Sequence, residues 1–215
     1  LGQVRVDKKS NEIKAIPEIL KKLCIKGAII TLDAMGCQKS IAQAITSQQG
    51  NYILRVKRNQ TGLFEAMEEL FTQARDRQYK EMLHYEFSED ANHDHGRLEN
   101  RHCIVLPQMY LMQTRLKWKN LKSLVLVISK RETTEGLSIE HRYYVSSLDP
   151  SNPERMLNCI RSHWQVENNC HWLLDVAFQE DHSRIREENA AMNMAWLRKM
   201  ALGLLKQATH IKGSI

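Results

Sequence analysis

The order of apolar and polar positions divides the chain into three stretches of different character. Ser10, Asn11 and Glu12 precede apolar Ile13, Ile16, Ile19, Leu20 and Leu23, a spacing that predicts a helix closing near Gly27, with Pro17 in its opening turn. Ala28-Ile29-Ile30-Thr31-Leu32 is a continuous β-rich apolar run that stops at Asp33, as a strand covered on both faces does. Ile41, Ala42 and Ile45 make Gln38 to Gln49 a helix punctuated by Gly50, and Tyr52 to Val56 is a second strand. Strand, helix and strand in that order predict parallel pairing, and such a sheet binds its ligands at the carboxyl ends of its strands.

Beyond Lys57-Arg58-Asn59-Gln60 the pattern changes. An acidic amphipathic helix, Leu63 to Arg75, leads into alternating segments around His84 to Phe87, Arg97 to Leu106, Leu121 to Ser129 and His141 to Ser147, a β-rich block. Asn152 as N-cap and Pro153 at the first helical position then open a helical end. There, Glu187 to Lys206 carries Met194, Leu197, Ala201 and Leu204 at helical spacing, which predicts a packed stripe. Three segments follow from this: 1–60, 61–150 and 151–215.

Composition excludes several classes. The 215 residues are 42% hydrophobic, 26% charged and 7% aromatic, as in a globular chain. The longest apolar stretch, Leu124 to Ile128, is far short of the roughly 18 residues of a membrane span, so no membrane association is expected. Five scattered cysteines without a C-x-x-C pair point away from a disulfide framework or structural zinc and towards a reducing cytoplasm. Leu1 in place of Met suggests a fragment. Of the net +6, residues 1–60 carry the excess, with 11 basic groups against 4 acidic, so a polyanion is the natural partner.

Two carboxylates stand out. On the helix from Pro153 the inward stripe runs Met156, Ile160, Trp164, Glu167, His171 and Leu174, which sets a charge among apolar neighbours. A buried carboxylate needs a cation, a metal or a hydrogen-bond network, and His163 and His171 on neighbouring turns could also satisfy it. Asp33 ends a buried strand, where an acid either caps the following turn or faces a ligand. Together the pair suits magnesium, a hard cation that takes carboxylate oxygens and leaves positions open for phosphates.

The chain resembles the DDE transposases of bacterial insertion sequences, in the branch that includes the H-repeat-associated proteins linked to Rhs elements. The resemblance runs nearly end to end. Lys9-Ser10-Asn11-Glu12-Ile13, Thr31 to Gln38, Lys57 with Asn59-Gln60, and His95-Gly96-Arg97 with Glu99 and Arg101 carry it. So do His163 to Asn168, His171-Trp172, Leu174 to Val176, Phe178, Glu180-Asp181 and Ser183 to Arg186.

It implies an α/β, RNase H-like core interrupted by a β-rich insertion. It also implies a two-metal Mg2+ or Mn2+ site, and double-stranded DNA as partner, engaged by a homodimer. Asp33 matches the second catalytic Asp and Glu167 the catalytic Glu. The first catalytic Asp has no match, Asp7 being no stand-in, so the resemblance implies an inactive, N-terminally truncated core. Related families place an Arg four residues before the Glu and a Lys seven after it; here those positions are His163 and Leu174.

The DNA contacts expected are Lys57, Arg58, Asn59, Gln60, Arg97 and Arg101, with Arg161 and His163 near the Glu. The implied reaction frees a 3′ hydroxyl at a transposon end and joins it to target DNA. A different RNase H-like nuclease and a non-catalytic DNA-binding remnant are the alternatives.

Overall fold

In the computed structural model, residues 12–93, 97–111, 118–133 and 136–208 are described; within helices and strands, the side chains at 12, 91–93, 97, 98, 133, 167, 168 and 188 lie outside that description. The segment Lys9-Ser10-Asn11, Asp7 and His95-Gly96 therefore fall outside it as well. The chain divides into two compact units, 1–160 and 161–215.

The first unit is built on one six-stranded sheet. Its strands are β1 (Ile29–Leu32), β2 (Asn51–Val56), β3 (Tyr85–His93), β4 (Arg97–Pro107), β5 (Ser123–Thr133) and β6 (Gly136–Ser146), arranged in the order β1-β2-β6-β5-β4-β3. β1 and β2 pair in parallel, with Leu32 opposite Leu54, as the strand-helix-strand pattern predicts. Every other pairing is antiparallel, and β2 to β6 is the seam where the β-rich segment continues the same sheet. The architecture is mixed α/β.

Side chains alternate across the pleat and fill two cores. On one face Leu54, Val56, Ile104, Leu106, Leu124, Leu126, Tyr143 and Val145 pack with residues of α1 (Glu12–Lys21), α2 (Lys39–Ser47) and α3 (Thr61–Asp76), among them Leu20, Ile41, Ile45, Met67 and Phe71. On the other, Ile53, Cys103, Val105, Val125, Val127 and Tyr144 meet Met156, Leu157 and Ile160 of α4 (Pro153–Val166). Asn152 caps α4 by accepting the Arg155 N–H at 2.9 Å, as its position before Pro153 predicts.

Three local expectations are corrected. α1 ends at Lys21, well short of Gly27, and Pro17 sits in its second turn. α2 closes one residue before the predicted glycine: Gln49 takes the left-handed conformation (φ 61°), with Gln49 N–H to Thr46 O and Gly50 N–H to Ile45 O completing a Schellman motif. Gly50 is instead a close approach, a Cβ there standing 3.1 Å from the Ile25 carbonyl oxygen. The helical pattern through Glu167 is also not one uninterrupted α-helix. α4 passes at Glu167–His171 into a π-helical turn, and α5 (Trp172–Val176) follows.

In the second unit Leu173, Leu174 and Leu202 form a small core with Cys170 and Phe178. α6 (Glu188–Gln207) begins at Glu187, whose carboxylate accepts the N–H of Asn189 at 3.3 Å and of Ala190 at 2.6 Å. Of the stripe predicted to pack, Met194, Leu197 and Leu204 are exposed and Ala201 is half-buried, while Leu202, outside that stripe, is buried. Periodicity marks an apolar stripe; it does not say which face of the helix finds a neighbour.

Candidate functional site

Parallel pairing of β1 and β2 brings two turns to the same end of the sheet. Asp33 is the first residue after β1, and Lys57 the first after β2, followed by a 3-10 turn, Arg58–Gln60. Between the turns lies a cavity of about 600 Å3. Asp33, Ala34 and Met35 line it from one side, Lys57, Arg58 and Asn59 from the other, with Phe64 of α3 as apolar floor. Phe64 is held by edge-to-face packing on Tyr143, ring centres 5.4 Å apart. An exposed carboxylate and two exposed cations thus share one opening.

The turn after Asp33 is tightly constrained. One Asp33 oxygen, Oδ1, accepts the Met35 backbone N–H at 3.1 Å, so the capping role open in the sequence is realised with one of its two oxygens. Gly36 is sterically required, because a Cβ there would stand 2.7 Å from Leu32 Cβ. The Asn59 side-chain amide donates to the Ala34 carbonyl at 2.6 Å. That of Gln60 donates to the Cys37 carbonyl at 2.9 Å and to Gln38 Oε1 at 3.3 Å. Asn59 and Gln60 therefore use amide hydrogens to tie the second turn to the first.

Farther along the sheet the charges are paired. Arg101 meets Glu99 at 2.6 Å and Glu89 at 3.9 Å, and its Nη1 is buried; Arg131 approaches Glu99 at 3.7 Å. Glu140 receives Arg142 and also meets Arg55 at 3.4 Å. The hydrogen bond from Arg142, with the charges of Arg142, Arg55 and Lys57, holds the Glu140 carboxyl below its ordinary range against the effect of burial. Arg97 lies on β4, with its side chain outside the description.

In the second unit, Glu167 opens the π-helical turn, with its side chain outside the description. That turn breaks the α-helical period, so the inward stripe counted at 3.6 residues per turn through Glu167 to His171 and Leu174 does not hold. Arg161 and His163 lie on the last turns of α4, both half-buried, and the His163 ring stands edge-on to Trp164 at 5.9 Å. Trp172 is exposed. Leu174, where related families carry Lys, is core.

Asp33 offers the hard oxygen donor that a divalent cation takes, with one oxygen oriented by Met35 and the second open, so it fits such an ion as one ligand. Among the described residues, no group of three or more His, Cys, Asp and Glu side chains is placed to hold a metal ion. No helix of the described residues is long and apolar enough to cross a membrane.

The described residues thus form a mixed α/β sheet with an acid at one strand end beside a basic turn. Comparison with known proteins identifies the family. Residues 1–204 match the family described as Transposase DDE domain, and the chain belongs to that family, whose RNase H-like fold this sheet and its helices fit. It is 42% identical to the "H repeat-associated putative transposase YhhI" of Escherichia coli (strain K12), over 100% of this chain and 57% of that protein. It is likewise 42% identical to the "Putative transposase YncI" of Escherichia coli O157:H7, over 100% of this chain and 55% of the relative. The "H repeat-associated putative transposase YbfD" of strain K12 is 50% identical over 49% of this chain and 40% of its own length. The chain thus spans little more than half the length of the curated relatives that it matches over its full length.

Proposed function

We propose that this chain is catalytic-core sequence of a transposase that cuts double-stranded DNA at transposon ends and joins the freed 3′ hydroxyl to target DNA. Asp33 and Glu167 are its cation ligands. The observation that carries the reading is the cavity that Asp33, Lys57 and Arg58 line at the carboxyl end of a parallel strand pair, in a chain of the DDE family. Two divalent cations, Mg2+ or Mn2+, would supply a more acidic attacking water or hydroxyl and charge neutralisation at the leaving oxygen.

The chain's own residues do the rest. Asp33 presents its open oxygen to the cation side, and Lys57 and Arg58 bind the phosphates that flank the scissile bond. Arg97, Arg101, Arg161 and His163 add backbone contacts from β4 and α4, and two copies of the chain engage the two transposon ends. Arg101 reaches DNA only by exchanging its Glu99 partner for phosphate. Asp33 and Glu167 are two carboxylates where the family uses three, and a pair binds metal weakly, so the 215-residue chain alone is expected not to cleave.

Mn2+ binding, read by electron paramagnetic resonance, tests the site. Asp33→Asn and Glu167→Gln should each weaken it, and binding unchanged in both variants contradicts the assignment. Incubation with supercoiled plasmid and Mn2+ tests the predicted inactivity, which nicking abolished by both substitutions would overturn. The basic excess of residues 1–60 favours a second reading, a DNA-binding protein without catalysis. Metal-independent DNA binding that weakens steeply with salt, in a chain that binds no Mn2+, is its signature.

A further inference from the structure

We infer that Asn59 and Gln60 are positioning residues for the Asp33 carboxylate, rather than readers of DNA, and that they set the affinity of this site for a divalent cation. The inference rests on Asp33 being a cation ligand, and asks what holds that ligand in place.

Asp33 stands on a turn between β1 and α2 that is bonded within itself, the Ala34 carbonyl accepting the Cys37 N–H at 3.2 Å and that of Gly36 the Gln38 N–H at 2.9 Å. Two carbonyls of the turn, at Ala34 and Cys37, are met by side chains from the next strand's turn, Asn59 at 2.6 Å and Gln60 at 2.9 Å. Ala34, Gly36 and Cys37 are buried, so a carbonyl released here is poorly replaced by water. Gly36, pressed against Leu32, leaves the turn no room to slide inward. The Met35 N–H, which orients Asp33 Oδ1, belongs to the residue that directly follows the carbonyl held by Asn59. Rotation of the Ala34–Met35 peptide moves both groups together, because carbonyl and N–H are two ends of one planar unit.

Asn59, together with the Cys37 N–H, thus fixes the peptide plane that orients Asp33. Gln60 holds the far end of the same turn, and its second contact, with Gln38 Oε1 at 3.3 Å, anchors it at the N-cap of α2. The geometry also divides labour along four consecutive residues. Lys57 and Arg58 line the cavity and are exposed, while the side-chain amides of Asn59 and Gln60 bond back to the protein. Outer groups that orient a metal ligand are commonly worth 10- to 100-fold in affinity.

The test measures Mn2+ binding to the 215-residue chain by electron paramagnetic resonance, for the parent, Asn59→Ala, Gln60→Ala, Asp33→Asn and the remote cap variant Asn152→Ala. Urea unfolding of each supplies the stability scale. Asn59→Ala should weaken Mn2+ binding by roughly tenfold, at the low end for an orienting group. Gln60→Ala should weaken it by less, and Asn152→Ala, at similar loss of stability, should leave it unchanged. Asp33→Asn lowering the affinity while Asn59→Ala and Gln60→Ala do not, or Asn152→Ala lowering it as much as they do, overturns the positioning role alone. Asp33→Asn without effect overturns the cation reading itself, and this inference with it.

Discussion

At the scale of single residues, environment sets reactivity here more than residue type does. Cys37 and Cys103 are buried, and burial pushes each thiol from 9.0 up to about 12, whereas Cys24 is exposed. Iodoacetamide at pH 8 should therefore modify Cys24 in the native protein and reach Cys37 and Cys103 only in urea, which peptide mass mapping reads directly. The linkage follows from the direction of the shift. A raised thiol keeps its proton in the folded state, so its contribution to stability is complete below pH 9.0 and is lost as pH climbs towards about 12.

Glu140 works in the opposite sense. Arg142 foremost holds its carboxyl below 4.5, so its contribution is present above pH 4.5 and is lost as pH falls through its lowered folded value. Arg142→Gln should flatten the fall of stability on the acid side, measured by urea midpoints between pH 3 and 7. Gly36→Ala is a steric case. A Cβ at 2.7 Å from Leu32 Cβ should cost about 1–3 kcal/mol in urea unfolding, comparable with overpacking elsewhere.

At the scale of elements, each strand and helix follows from a short stretch of chain, but their partners do not. The strand of Ile29 to Leu32, the helix on Ile41 and Ile45, the strand into Val56 and the cap at Asn152 were all legible, because period, β-branched runs and capping residues act locally. That Asp33 and Lys57 share a sheet end was legible too, since parallel pairing follows from strand-helix-strand order.

What distant residues decide was not legible. Nothing within residues 51–56 or 136–146 announces that β2 and β6 would pair. An Asn and a Gln after a strand read as DNA contacts, and only the fold reveals that their amides close on Ala34 and Cys37. The π turn at Glu167 has no signature in a pattern counted at 3.6 residues. Leu54, fully buried in β2 between β1 and β6, measures how far this sheet acts as one element. Leu54→Ala should cost about 2–5 kcal/mol, read from the urea unfolding of the sheet by circular dichroism.

At the scale of the whole molecule, the first unit supplies Asp33, the cationic turn and the sheet, and the second begins just before Glu167. The proposed function makes one demand on each, that its acid be a ligand of a bound divalent cation. Anomalous diffraction from crystals grown with Mn2+ addresses that demand most directly. The account predicts anomalous signal within coordination distance of a carboxylate oxygen of Asp33 and of one of Glu167. Fully occupied Mn2+ bound elsewhere, with neither carboxylate among its ligands, would contradict it.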